Sequence, residues 1–219
     1  ECRSCKKFEV NAPLNPLRNK AQHHEDSSRR RAFERMIIEL TGEDVVKNYR
    51  STHAEEFQSY IWEKFGRSCF SCGKSLPKVT DMDIDHTLPL AYLWPLDETA
   101  TALCKTCNSL KHEAFPSEFA LYTTDKLERL SQLTGIPLNV ISIKKRFVNP
   151  KVLKLLVKNS VWIFDDFLAR KDYQKVKKGK KVSDLVYKAL QKVLAPEGVD
   201  LVRLYFEATG RYPKTVTLK

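Results

Sequence analysis

Cys69-Phe-Ser-Cys72 and Cys104-Lys-Thr-Cys107 bracket the stretch Asp81-Met-Asp-Ile-Asp-His-Thr-Leu-Pro-Leu90, and the second pair runs directly into Asn108-Ser-Leu-Lys-His112. The two Cys-x2-Cys pairs are separated by 31 residues, 73 to 103. A thiolate needs a cation to hold its charge, and four at this spacing match a tetrahedral zinc site that closes a loop. A stretch of about 40 residues has little hydrophobic core of its own, so the metal is its staple. Four protein thiolates leave no open position, which makes such a zinc structural. Two disulfides are the alternative.

Inside the loop sit Asp85 and His86, and just beyond the second pair Asn108 and His112 stand four residues apart, on one face of a helix. Imidazole supplies a base with a pKa near working pH, and a carboxylate holds a hard cation. The bland alternatives for His86 are a zinc ligand and a buried core histidine. Cys107 is followed at once by Asn108, with Lys111 three residues on.

Taken in order, the two cysteine pairs, Asp85-His86 and Cys107-Asn108-x-x-Lys111 resemble the HNH (ββα-metal) nuclease family. The resemblance covers residues 66 to 116, roughly a quarter of the chain. The Trp94-Pro-Leu-Asp-Glu98 connector and Phe115-Pro116 look most like HNH-type restriction endonucleases. The resemblance implies that His86 is the general base and that Asp85 and Asn108 are ligands of a catalytic Mg²⁺ or Mn²⁺. It places Lys111 near the substrate phosphate and makes His112 a further ligand or phosphate contact, with a surface histidine as the alternative. One departure stands out: many relatives have an Asn about five residues before the second cysteine pair, bracing the loop that carries the base. Thr99 occupies that position here, so a threonine hydroxyl or Asp97 has to make the brace.

The wider chain agrees with a soluble, nucleic-acid-directed protein. It has 219 residues, 42% hydrophobic and 30% charged, without an apolar run of membrane-spanning length or a secretory signal. The formal net charge is +11, and residues 144 to 219 carry 19 Lys and Arg against 7 Asp and Glu. A basic third beside a metal site suits double-stranded DNA, although a lysine-rich surface also serves solubility. Lys177, Lys178, Lys180 and Lys181 crowd one turn and are the candidate DNA contacts. All six cysteines lie in Cys-x2-Cys pairs, which reads as metal binding in a reducing compartment. With the restriction resemblance, that compartment is the cytoplasm of a prokaryotic cell. Cys2 and Cys5 are half of a second zinc site, completed by His23 or His24 or by a knuckle upstream, or else they are free thiols.

Periodicity divides the chain into three parts. Residues 1–50 form an N-terminal segment, the possible end of an upstream zinc module, extended to Ser28 and helical from Arg29 to Leu40. Residues 51–137 form the nuclease core, opened by a helix behind a Thr52-His53-Ala54-Glu55 capping box. That core also has a helix from Pro116 carrying Phe119 and Leu121, and another over Asp125–Leu133. Residues 138–219 form a basic, mainly helical recognition or dimerisation region, with helices at 151–157, 161–169, 182–194 and 199–208. Val140–Phe147 is ambiguous, and Thr215–Leu218 reads as a terminal strand. The fold class is therefore α+β, a mostly helical chain around a zinc-stapled ββα insert. The function expected from the resemblance is a divalent-metal-dependent DNA endonuclease of restriction type that leaves 5′-phosphate ends and dimerises to cut both strands. The alternatives are a non-catalytic zinc-stapled DNA-binding module and a homing or modification-dependent HNH nuclease.

Overall fold

The computed structural model describes residues 20–42, 54–138, 146–177 and 180–218. The expectations for Cys2, Cys5, His53, Lys178 and most of Val140–Phe147 lie outside these residues, as do the side chains of His23, His24 and Lys177. The described chain is α+β and mostly helical, with two small antiparallel sheets. It forms two compact units.

One unit spans Glu43–Phe147. Helix α1 of the chain, Lys20–Thr41, belongs to the other; here α2, Ala54–Lys64, leads in. Ile61 and Phe65 of this helical segment are buried, and Gly66 ends it at φ 64°. The Trp62 indole Nε1–H donates to the Leu76 carbonyl at 2.8 Å, tying the helix to the turn that carries Cys69 and Cys72. That turn closes through Cys69 N–H to Lys74 O at 2.8 Å and Gly73 N–H to Cys69 O at 2.8 Å. Gly73 sits at φ 74°, where a side chain is strained. Strand β1, Met82–Asp85, then pairs antiparallel with β2, Thr101–Cys104, with Asp85 opposite Thr101 and Met82 opposite Cys104. Helix α3, Lys105–Lys111, follows β2 without a loop. All four residues of β2 are buried, so this strand lies between the cysteine turn and the rest of the core. Phe70 N–H bonds Ala102 O at 3.0 Å and fixes the first cysteine pair to that strand.

Downstream the expected helix from Pro116 is a single 3-10 turn, Pro116–Glu118. The Glu118 carboxylate accepts from Phe115 N–H at 3.1 Å and closes the turn on itself. Phe119 and Tyr122 then point into the core, and α4 begins at Thr124 and runs to Thr134, capped by Gly135 at φ 72°.

The second unit joins the N-terminal segment to the C-terminal third, Glu1–Gly42 with Val148–Lys219. The linear division into three segments does not anticipate this. Ala32, Phe33, Met36 and Ile37 of α1 are buried on one stripe, and α1 packs on α5 (Pro150–Lys158) and α8 (Val182–Leu194). Helix α1 starts at Lys20, so residues 20–28 are helical rather than extended. The stretch from 20 to 41 holds no Gly or Pro, and i,i+4 pairs such as Arg30–Glu34 and Arg35–Glu39 support the turns that lack an apolar stripe.

Asn149 caps α5 by accepting from Lys151 and Val152 N–H, with Pro150 at its first position. Helix α6, Ser160–Trp162, runs into a π turn at Ile163–Phe167, and α7, Lys171–Gln174, precedes two two-residue strands. These are β3, Val176–Lys177, and β4, Lys180–Lys181. Helix α9, Leu201–Thr209, is capped by Asp200 and packs on α6. Phe164 lies edge-to-face against Tyr187 and Tyr205 at 5.9 and 5.2 Å, at the centre of this unit's core. The expected strand at Thr215–Leu218 is absent. Thr217 N–H donates to the Asp184 carboxylate at 2.7 Å, so a side chain takes the bond a strand partner would have made.

The charge divides along the same boundary. By sequence the unit 1–42 plus 148–219 holds 25 Lys and Arg against 13 Asp and Glu, while 43–147 holds 13 against 14. No helix among the described residues is long and apolar enough to cross a membrane.

Candidate functional site

The thiol sulfurs of Cys69, Cys72, Cys104 and Cys107 all lie within 4.8 Å of one another. Two come from the Gly73 turn, one from the end of β2 and one from the first turn of α3, so the cluster joins three local structures. Such a set of four soft ligands can hold a metal such as zinc. Without a cation the site is electrostatically costly. Burial raises the Cys69 thiol and pushes Cys107 up to about 12, while the Lys74 backbone N–H draws the more exposed Cys72 down to about 7. A divalent ion reverses that balance by deprotonating the ligands it binds. The surroundings support the cluster as well: Lys126 of α4 donates to the Ser71 carbonyl at 2.5 Å, inside the first cysteine pair.

Along β1 successive side chains alternate, so Asp83 and Asp85 project from the same face. Helix α3 lays Asn108 and Lys111, one turn apart, against that face. Asn108 Nδ2 donates to Asp83 Oδ2 at 3.0 Å. Lys111 Nζ lies 2.6 Å from Asp85 Oδ2 and donates to the His86 carbonyl at 3.0 Å. Lys111 is 1% exposed, and its carboxylate partner is buried with it. Lys111 is thus an internal counter-ion that pins the end of β1, rather than an exposed ammonium waiting for a phosphate.

His86 is 6% exposed, with Nε2 itself enclosed. The next residue, Thr87, fixes the chain behind it. Its hydroxyl donates to the Thr99 carbonyl at 2.5 Å and lies 2.5 Å from the Thr101 hydroxyl. The brace expected from the side chain of Thr99 or Asp97 is therefore made by a backbone carbonyl. Thr99 N–H and Oγ1–H both turn to Asp97 Oδ1, at 2.9 and 2.5 Å, and shape the loop that presents that carbonyl. Sequence reading passed over Thr87 and Asp83. The two-residue alternation Asp83-Ile84-Asp85 was the available signal for the latter.

His112 does not continue the face of Asn108. Helix α3 ends at Lys111, and His112 is exposed at φ 50°, ψ −117°. The Ala114 N–H to Lys111 O bond of 2.9 Å closes a tight turn around it. A non-glycine residue there carries strain of about 1–3 kcal/mol. Tyr122 is buried with its hydroxyl lacking a hydrogen-bond partner. Burial first, then the charges of Asp85, Cys69 and Cys107, push that phenol well above its usual range, which sets it in the same electrostatic environment as both groups of residues.

In the basic unit, Lys180 is exposed yet bonded to Glu25 at 3.0 Å, and Lys181 Nζ reaches Gln174 Oε1 at 3.4 Å. Comparison of the chain with protein-family models, with curated proteins and with solved structures finds no match.

Two outcomes are expected from this geometry. Metal analysis of the purified chain should find one tightly held zinc, and Cys104→Ser should lose it together with the fold of residues 66–116; a folded, metal-free preparation would contradict the cluster's role. Lys111→Met should destabilise the chain by about 3–5 kcal/mol in denaturant unfolding, because it leaves the Asp85 charge buried alone. Adding Asp85→Leu should restore most of that loss, since an apolar pair can replace a buried ion pair. A loss below about 1 kcal/mol for the single variant would show that Asp85 does not need its counter-ion.

Proposed function

We propose that residues 66–116 are the catalytic part of an HNH-type, divalent-cation-dependent DNA endonuclease, and that the four-cysteine cluster holds a structural zinc. The observation that carries the reading is the convergence of oxygen donors and an imidazole at the end of β1. Asp83, Asp85 and His86 come from the strand, and Asn108 and Lys111 bond to that same strand from α3. Carboxylate and amide oxygens suit a hard cation such as Mg²⁺ or Mn²⁺. A carboxylate has two oxygens and about four acceptor sites, so the Lys111 bond does not by itself disqualify Asp85 as a ligand.

In this reading Asp85 and Asn108 hold the ion, and His86 takes a proton from the attacking water. When bound, the cation offsets charge on the phosphate and on the leaving 3′ oxygen, which leaves a 5′-phosphate end. Thr87 and Lys111 keep the His86 backbone fixed, so the ring does not have to be ordered when substrate arrives. The charge of the unit 1–42 plus 148–219, a net +12 by sequence, supplies sequence-independent attraction for double-stranded DNA. One such site cuts one strand, so double-strand cleavage requires a homodimer or two successive nicks. The restriction setting follows from the sequence resemblance alone.

A second reading has a specific observation behind it. The enclosure of His86 Nε2 and the hold of Lys111 on Asp85 equally suit a zinc-stapled DNA-binding module in which both residues serve the fold.

The two readings part on one variant series. His86→Ala should lower metal-dependent cleavage by at least about 10²- to 10⁴-fold while zinc content and DNA binding stay near wild type. Asp85→Ala and Asn108→Ala should regain part of the lost rate at high Mn²⁺, which His86→Ala should not. Wild-type cleavage by His86→Ala would transfer the site to the binding-module reading.

A further inference from the structure

We propose that Asp83 is a positioning residue of the cation site, acting through Asn108; the inference rests on the nuclease reading above. An amide side chain is nearly symmetric in shape but not in chemistry. Its oxygen ligates a cation, and its NH₂ can only donate. A half-turn about the last side-chain bond exchanges the two at little steric cost, so an asparagine ligand needs something to choose its face.

Asp83 makes that choice. An ionised carboxylate accepts hydrogen bonds and cannot donate, so only the Nδ2 end of Asn108 can sit 3.0 Å from Asp83 Oδ2. Covalent geometry then turns the amide oxygen away from Asp83. The strand alternation that sets Asp83 beside Asp85 thus gives the two carboxylates different work. Asp85 is buried and charge-paired with Lys111, while Asp83 is only partly buried and bonds the amide. The arrangement parallels the hydrogen-bonded outer partners that orient metal ligands, whose loss typically lowers affinity 10- to 100-fold.

The conservative replacement separates orientation from charge. In Asp83→Asn the carbonyl of the new amide still accepts from Asn108, whereas Asp83→Ala removes the acceptor. Both lose the negative charge. Calorimetric titration of the zinc-loaded full chain with Mn²⁺ alone, without DNA, should show affinity falling about 10- to 100-fold for Asp83→Ala. Asp83→Asn should stay within about 3-fold of wild type, less than one kcal/mol by the usual conversion. Zinc stoichiometry and melting temperature should be unchanged in Asp83→Asn, which keeps the test valid if the alanine variant folds poorly. Equal losses in both variants would overturn the proposal by making Asp83 a charged ligand or field source, and wild-type affinity in both would overturn it by making the bond incidental. Asp85→Ala is the control for the underlying reading. If wild type and Asp85→Ala bind Mn²⁺ alike, or neither binds it, the cation site itself fails and the proposal falls with it.

Discussion

Four sulfur atoms within 4.8 Å of one another are the constraint from which the rest of the unit 43–147 follows. Thiols buried this closely are kept neutral or hold a metal, and a metal joins the Gly73 turn, the end of β2 and the start of α3 at one point. Once those three are joined, β1 has one register along β2 and α3 one direction of approach to β1. A strand pair of four residues each would be marginal on its own. Here it is held from behind by Phe70 on Ala102 and in front by the α3 side chains. The cluster therefore sets the geometry of Asp83, Asp85, His86, Asn108 and Lys111 without contributing a reactive group.

The polar groups at the end of β1 hold one another in place. Lys111 neutralises Asp85 and bonds the His86 carbonyl, Asn108 bonds Asp83, and Thr87 is bonded to the opposite strand and its preceding loop. Buried polar networks cost free energy unless each member is satisfied, and a satisfied one fixes a single arrangement. That rigidity is what a site that must present a base and a cation together requires. The strained turn at His112 lies immediately after Lys111, where the chain has to leave the helix while keeping the ammonium buried.

How much of this was legible in the sequence depended on how local each signal was. The cysteine spacing specified the cluster, because a metal reads ligand type and separation rather than context. The Phe33, Met36, Ile37 stripe specified the buried face of α1, and Asn149-Pro150 and Gly135 marked helix ends by their own backbone chemistry. Asp85, His86 and Asn108 were found as residues, but their partners were not. Lys111 has the sequence profile of a surface lysine at a helix end, and only the tertiary fold shows that its stem runs inward to Asp85. The brace escaped because it is a backbone carbonyl, which no residue identity reveals. The helix at 20–28 escaped because charged residues carry no apolar period. The joining of 1–42 to 148–219 escaped because contacts across about a hundred intervening residues leave no periodic trace.

Digestion of supercoiled plasmid DNA by the wild-type chain in Mg²⁺ or Mn²⁺, followed by sequencing of the ends, tests the central claim most directly. The account predicts nicked or linear product only when the cation is present, with 5′-phosphate and 3′-hydroxyl ends. Failure to cut any DNA, modified or unmodified, with either cation would contradict it, as would cleavage that persists in chelator or leaves 3′-phosphates.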